Sequence, residues 1–181
     1  TYTIDLQAAS MLEGRPSTSV CALVDYVAVS DRDGLVTLLD EDTLTPQYSV
    51  KLESPCAHLA AYGNQLLASS TDGKLYIYNH DTRSTSTLHD AVSSNQKVNM
   101  ADWHPSGEYV VSCTNDSKWH FWSGIGNNPL ITMHGHHPDL GIKSITVERS
   151  TGALIGTGGG DGAMRVWDVR LGWCIFTVNE H

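Results

Sequence analysis

The fold is decided by residues 156–169, whose sequence is GTGGGDGAMRVWDV. In this stretch an alternating strand, AMRVWD, follows a tight turn at Asp161-Gly162, and a short run, ALIGT, precedes the turn. Three similar turns lie upstream at Asp33-Gly34, Asp72-Gly73 and Asp116-Ser117, and successive aspartates are 39, 44 and 45 residues apart. A nearly fixed period of this length indicates that the chain is built from repeated supersecondary units.

Each unit contains a strand, a tight turn and a second strand. The segments before the turns are YVAVS, LLASS, YVVSC and ALIGT, and those after them are LVTLLD, KLYIYN, KWHFWS and AMRVWD. Alternation places every second side chain on one face of a strand, and we expect that face to lie in a core between neighbouring sheets in all four copies. The residues on this face are Val36 and Leu38, Leu75 and Ile77, Trp119 and Phe121, and Met164 and Val166.

A further strand precedes this unit in the last two copies, at VNMADW and IKSITV. No segment has a convincing helical periodicity, so the sequence predicts an all-β chain. An unrelated β-sandwich with regular hairpins is the alternative, but sandwiches do not repeat side-chain identity at a fixed spacing.

The stretch 156–169 resembles the end of a WD40 repeat, which closes on Trp167-Asp168, and Gly135-His136 resembles the dipeptide that opens such a repeat. This resemblance implies a WD40 β-propeller, with four blades in this chain as part of a seven-bladed ring. The predicted organisation is an N-terminal linker or strand at 1–19 and a propeller segment at 20–181, with blades at 20–55, 56–90, 91–135 and 136–181. Four blades would leave an apolar sheet face open at each end, so we expect the native chain to continue past residue 181.

The same resemblance implies a hydrogen-bonded tetrad of His, Ser or Thr, Asp and Trp that has a structural role. Its members in the fourth copy would be His136, Thr157, Asp161 and Trp167. Those in the third would be His89, Ser112, Asp116 and Trp122. In the first two copies Asp33 and Asp72 remain, but Leu39 and Tyr78 replace the tryptophan. The position of the hydroxyl is uncertain by one residue there, and we expect these two blades to rest on apolar packing.

The third and fourth copies carry a more specific resemblance. GEYVVSCTNDSKWHFWSG at 107–124 and LIGTG at 154–158 are similar to consecutive blades of the pre-mRNA-processing factor 19 family, which are spliceosomal ubiquitin ligases. The resemblance implies a nuclear, non-enzymatic scaffold that recruits substrates or docks other proteins through the propeller rim. The ubiquitin-transferring U-box and an oligomerising coiled coil would lie outside this chain. A scaffold of another intracellular complex, with a cytoplasmic location, or an RNA-binding propeller are the alternatives.

Composition restricts the other function classes. The net charge of −9 opposes direct contact with a phosphate backbone, and no apolar run approaches the roughly 20 residues of a membrane helix. Four dispersed cysteines without a C-x-x-C pair indicate reduced thiols, not a disulfide framework. We therefore expect no membrane contact and no direct nucleic-acid contact.

Isolated motifs that could carry chemistry have simpler explanations. His134, His136, His137 and Asp139 could bind zinc, but His136 is assigned to the tetrad and the others to an exposed loop. There is no G-x-S-x-G motif, and the glycines at 158–160 precede a strand instead of a helix. We therefore expect no catalytic residues, no metal and no cofactor.

Aromatic residues outside the repeating positions could anchor a partner, since Tyr and Trp dominate binding hot spots. These are Tyr48, Tyr62 and Trp173, and we expect each to be partly buried at a blade edge. Trp103 occupies a first-strand position, so we expect it in the core.

Overall fold

The computed structural model describes residues 16–88, 96–124, 126 and 128–179. These residues form sixteen strands and no helix, arranged as four antiparallel sheets of four strands each. Within every sheet the strands follow chain order, so each sheet is a simple meander. The all-β architecture predicted from the repeats is confirmed.

The strand bounds are as follows. The first sheet contains β1 (Ser17–Leu23), β2 (Tyr26–Asp31), β3 (Leu35–Asp40) and β4 (Pro46–Lys51). The second contains β5 (Cys56–Tyr62), β6 (Gln65–Ser70), β7 (Leu75–Asn79) and β8 (Ser84–Leu88). The third contains β9 (Val98–Trp103), β10 (Tyr109–Thr114), β11 (Lys118–Ser123) and β12 (Pro129–His134). The fourth contains β13 (Ile142–Val147), β14 (Leu154–Gly159), β15 (Ala163–Asp168) and β16 (Trp173–Asn179).

The sheets pack face to face as successive blades of a propeller, with their first strands side by side. Each of the three junctions contains an apolar cluster. At the third junction, for example, Trp119 and Phe121 of the third sheet face Trp167 of the fourth. The rings of Trp119 and Trp167 meet edge to face, with centroids 5.7 Å apart. Aromatic pairs in this geometry stabilise a core beyond their area burial.

The face that we expected to be buried in all four copies is buried in only three. Val36, Leu75 and Trp119 are at most 2% exposed, but the equivalent Met164 is 51% exposed. Phe176, which pairs with Val166 on the same face, is also exposed. The prediction is wrong for the fourth copy because no further sheet packs on that face within the described residues.

The first sheet begins earlier than the boundary at residue 20, because β1 starts at Ser17. The first two copies also contain a first strand, although only the last two showed one in the sequence. The pairing of the first strand with the second has an irregular step in all four sheets, so this feature does not distinguish the copies.

All four cysteines are free thiols. Burial raises the pKa of Cys21 to about 12 and that of Cys113 to about 12. A thiol with a raised pKa is a poor nucleophile, so these residues pack as small apolar side chains.

Candidate protein interface

The meander gives every sheet two different edges. The upper edge carries the hairpins between the second and third strands, at Asp33-Gly34, Asp72-Gly73, Asp116-Ser117 and Asp161-Gly162, together with the connections from one sheet to the next. The lower edge carries the two remaining turns of each sheet. Loops of every blade therefore meet at each edge, where they are exposed above a rigid framework.

In the fourth sheet four side chains form a continuous hydrogen-bonded chain. The Nδ1 atom of His136 lies 3.0 Å from Oδ1 of Asp161, and its Nε2 atom lies 2.8 Å from the hydroxyl of Thr157. Trp167 donates its indole N–H to the same hydroxyl over 2.8 Å. His136, Thr157 and Trp167 are buried, so this network satisfies polar groups that have no access to water. The structure brings together all four residues that the sequence assigned to the fourth tetrad.

The carboxylate of Asp161 anchors the loop that opens this sheet. Desolvation raises its pKa, but hydrogen bonds from His136, from the amides of His137 and Ala163 and from Arg165 outweigh it and hold the pKa well below 3.8. Arg165 donates to Oδ2 over 3.0 Å. The tetrad thus ties the connection from the third sheet to the β14–β15 hairpin on the upper edge.

Two glycines allow the tetrad side chains to pack closely against the backbone. A Cβ atom on Gly135 would lie 2.3 Å from the Trp167 ring, and one on Gly159 would lie 2.1 Å from both Asp161 and His136. Any larger residue at either position would displace a member of the tetrad.

The third sheet contains only part of this network. Trp122 donates to the hydroxyl of Ser112 over 2.9 Å. Asp116 accepts hydrogen bonds from Gln96 and Thr114 and pairs with Lys118. His89, assigned to this tetrad from the sequence, lies outside the described residues. Gln96 and Thr114 were missed because the resemblance gives no position for them.

The first two sheets have no hydroxyl at the equivalent position. The strand register places Val29 and Ala68 where the later sheets have Ser112 and Thr157. The neighbouring Ser30 and Ser69 bond Thr18 and the carbonyl of His58 instead. Leu39 and Tyr78 occupy the tryptophan positions and are buried.

The third and fourth sheets are also held together near the lower edge by a contact that sequence reasoning missed. Arg149 donates to both oxygens of Asp102, over 3.0 and 2.8 Å, and to the carbonyl of Trp103 over 3.1 Å. Asp102 is 6% exposed. These residues are 47 positions apart, so no local pattern announces their contact.

Among the described residues charge is divided unequally between the two halves of the sheets. Seven acidic and seven basic residues lie in the upper half, whereas nine acidic residues and three arginines lie in the lower half. The upper residues are Asp31, Asp33, Glu53, Asp72, Asp116, Asp139, Asp161, Arg32, Lys51, Lys74, Lys97, Lys118, Lys143 and Arg165. The lower residues are Asp25, Asp40, Glu41, Asp42, Asp81, Asp102, Glu108, Glu148, Asp168, Arg83, Arg149 and Arg170. Every lysine is therefore on the upper side.

The aromatic residues considered as anchors differ in exposure. Trp173 is 58% and Tyr62 is 39% exposed, so both are partly buried, as expected, and Trp173 is the more accessible of the two. Tyr48 is half-buried and stacks on Tyr78 at 5.4 Å, and Trp103 is 1% exposed, as expected of a core residue.

His134, His137 and Asp139 are exposed. In the part of the chain that the structure describes, no group of three or more His, Cys, Asp or Glu side chains is placed to hold a metal ion. No helix long and apolar enough to cross a membrane occurs in the same residues.

His120 is a buried histidine whose role the sequence did not indicate. Its Nδ1 atom lies 2.9 Å from the hydroxyl of Thr132, and the residue is 2% exposed. Desolvation lowers its pKa to about 4, and the nearby carboxylate of Asp116 only partly opposes that effect. His120 is therefore a neutral core residue at pH 7.

Residues 83–123 and 127–168 match the family described as WD domain, G-beta repeat. Each matched segment starts before the first strand of a sheet and ends with its third strand. These two segments are WD40 repeats, and the chain has the WD40 propeller fold. The finer resemblance to the pre-mRNA-processing factor 19 family stays a prediction.

Two relatives illustrate its similarity to known proteins. The U4/U6 small nuclear ribonucleoprotein PRP4 of Saccharomyces cerevisiae is 26% identical over 73% of this chain and 30% of its own length. The Denticleless protein homolog of Danio rerio is 28% identical over 64% of this chain and 18% of its own length. The chain thus spans less than a third of either relative.

Among solved structures, a chain in the crystal structure of the mitotic checkpoint complex superposes with a TM-score of 0.81 and 21% sequence identity. The match covers 92% of this chain and 54% of that chain. It shows the same propeller fold.

Proposed function

We propose that this chain is a protein-docking scaffold of the splicing machinery and recruits substrates for a ubiquitin ligase in the nucleus. Transfer of ubiquitin would be performed by a U-box outside this chain, and a coiled coil outside it would make the parent protein oligomeric. The WD40 propeller is itself a non-catalytic scaffold fold. The similarity to a U4/U6 small nuclear ribonucleoprotein supports a role in splicing.

The observation that carries the docking function is the construction of the upper edge. Its loops are exposed and polar, as at Arg32, Asp33 and Lys97, but the strands below them are buried. Tetrad bonds and inter-sheet contacts fix the loops: Gly141 donates its amide to Ser117 over 3.0 Å, and Ser117 donates to the carbonyl of His137. Exposed groups held on a rigid framework lose little conformational entropy on binding.

A scaffold of another intracellular complex is the second candidate. The fold similarity to a chain in the mitotic checkpoint complex favours it, and this alternative would place the protein in the cytoplasm as well. Direct RNA binding is disfavoured, because the upper edge is electrically balanced and the lower half is acidic. An RNA-binding surface needs excess positive charge.

The test is affinity purification of the full-length protein from cells, with RNase treatment and identification of bound proteins by mass spectrometry. We expect splicing proteins to co-purify after RNase treatment. The double variant Lys97→Glu/Lys143→Glu reverses two exposed charges of the upper edge, and we expect it to lose most of these partners. The control, Glu41→Lys/Asp42→Lys, reverses two exposed charges of the lower edge and should retain them.

Recovery of a non-splicing complex would replace the splicing assignment with the second candidate. Equal loss of partners in both double variants, or in neither, would contradict docking through the upper edge. Loss of all partners on RNase treatment would favour the RNA-binding alternative.

A further inference from the structure

A cavity of about 460 Å³ opens at the lower edge between the second and third sheets. Gln65 of the second sheet lines one side, and Trp103, Glu108 and Gly124 of the third sheet line the other. Strand alternation places the side chains of Gln65 and Trp103 on the faces that meet in this junction, and Glu108 precedes β10 at its mouth. The volume is within the range of pockets that take small ligands or single side chains.

The other two junctions hold an aromatic ring in the corresponding space. Tyr26, Gln65 and Tyr109 each begin the second strand of a sheet and pair with the last residue of the third strand. Tyr26 lies against His80 with ring centroids 4.3 Å apart, and Tyr109 packs against the third apolar cluster, where it stacks on Phe121. The middle junction has a glutamine in place of these tyrosines.

On the opposite wall of the middle junction the side chain is also smaller than in the other junctions. His80, Gly124 and Val169 are equivalent, since each follows the third strand and donates its amide to the residue before the second strand. Gly124 therefore contributes no side chain where the other junctions have an imidazole or an isopropyl group. The cavity forms because Gln65 replaces a tyrosine on one wall and Gly124 replaces a larger residue on the other.

The side chain of Trp103 lines this cavity. Trp103 has a larger side chain than the equivalent residues Ala61 and Val147, and it lies in the part of the junction nearest the first strands. Its indole N–H is buried and has no protein acceptor among the described residues. Tyr62 lies 6.1 Å away, with its ring against Gly107, so the cavity is bordered by aromatic surface. Aromatic walls of this kind favour an occupant with an aromatic ring.

The charge at the opening of the cavity indicates the charge of the ligand that it would bind. Glu108 is exposed and forms no ion pair with Lys or Arg in the described structure. Two of the three arginines of the lower half are bonded to Asp102 and Asp168. The edge that surrounds the cavity therefore attracts a positively charged segment.

We infer that the cavity binds a tyrosine side chain presented by a basic segment of a partner protein. The ring occupies the space that Tyr26 and Tyr109 fill in the other junctions. The same ring lies beside Trp103, and a neighbouring lysine or arginine of the segment pairs with Glu108. This inference goes beyond the proposed function because it concerns the lower edge and a different partner contact.

The test uses the full chain labelled with ¹⁵N and the peptide acetyl-Lys-Tyr-Lys-amide as the probe. Titration followed by NMR should shift the indole resonance of Trp103 but not that of Trp122, whose N–H is bonded to Ser112. Acetyl-Lys-Ala-Lys-amide and acetyl-Glu-Tyr-Glu-amide should each bind at least about tenfold more weakly, because each lacks one half of the recognised chemistry.

Two variants separate the cavity from binding elsewhere. Gln65→Tyr places in the cavity the side chain of the other junctions and should abolish the shift. Leu154→Tyr makes the same change at the matching position of the fourth sheet and should leave binding unchanged. Glu108→Gln should weaken the Lys-Tyr-Lys peptide about threefold to fivefold, the effect of an exposed ion pair.

Several results would overturn the inference. An unchanged Trp103 resonance in the wild-type titration would mean that the cavity does not take the tyrosine side chain. Full binding by Gln65→Tyr, with the Trp122 resonance at its native position, would place the peptide elsewhere. Equal binding of the Lys-Ala-Lys peptide would mean that charge alone is recognised.

Discussion

Replacing Thr157 with valine tests the tetrad of the fourth blade with little change in shape. Thr157 is 2% exposed. Its hydroxyl group is hydrogen-bonded to two buried atoms, Nε1 of Trp167 and Nε2 of His136. Without it both groups lose their partner inside the protein, at about 1–3 kcal/mol each. The added methyl group returns up to about 0.8 kcal/mol of apolar burial. We therefore expect Thr157→Val to lower the free energy of unfolding by about 2–4 kcal/mol.

The assay is equilibrium urea unfolding followed by tryptophan fluorescence and far-UV circular dichroism. An unchanged dependence of the free energy of unfolding on urea concentration (the m-value) checks that unfolding stays two-state. The expected loss corresponds to a decrease of about 5–15 °C in Tm. Thr177→Val is the matched control, because Thr177 is exposed on the outermost strand of the same sheet, and it should change stability by less than about 0.5 kcal/mol. A loss below about 0.5 kcal/mol in Thr157→Val as well would refute the claim that this network stabilises the blade.

Three further predictions concern other parts of the network and core. His120 has a folded-state pKa of about 4 against 6.5 when unfolded, so the unfolded chain binds the extra proton and stability falls as pH drops from 6.5 towards 4. Between pH 7 and pH 5, protonation of His120 should lower the free energy of unfolding by about 2 kcal/mol. The variant His120→Thr should lack this part of the pH dependence when unfolding is measured in urea. Arg149→Met leaves the carboxylate of Asp102 without its guanidinium, and urea unfolding should show a loss of about 1–2 kcal/mol after allowance for the exposure of Arg149. Gly135→Ala places a methyl group against Trp167 and should lower stability by about 1–3 kcal/mol, with a changed Trp167 indole resonance in NMR spectra.

The controls for these variants come from the same chain. The pH dependence assigned to His120 is the difference between wild type and His120→Thr, and identical pH profiles would contradict it. Arg170→Met removes a more exposed arginine from Asp168 and should cost less than Arg149→Met; the reverse order would count against the inter-sheet contact. Gly172→Ala has open space around its Cβ position but a φ of +71°, so it should cost only backbone strain and leave the Trp167 resonance in place.

Repetition made much of the fold predictable. A spacing of 39 to 45 residues between turn aspartates, with alternating strands on either side, determined the number of sheets and the strand that follows each turn. The same repetition identified Leu39 and Tyr78 as equivalents of Trp122 and Trp167, and the strand register agrees. Alternation can be read locally, so the sequence carries this information directly.

Features that depend on distant contacts could not be predicted in this way. The burial of Met164 depends on what packs against its sheet, which its own alternation does not specify. The contact between Asp102 and Arg149 joins two blades across 47 residues. The cavity beside Gln65 and Gly124 lies between two different sheets, so no local pattern in the sequence indicates it.

The docking claim is tested most directly by covalent footprinting of the full-length protein in its native complex. All five lysines lie in the upper half, and Glu41 and Asp42 lie exposed at the lower edge of the first sheet. Amine-reactive and carboxyl-reactive reagents therefore report on the two edges separately. The account predicts that assembly protects Lys97 and Lys143 from acetylation and leaves Glu41 and Asp42 reactive. Protection of the two carboxylates with fully reactive lysines would contradict it.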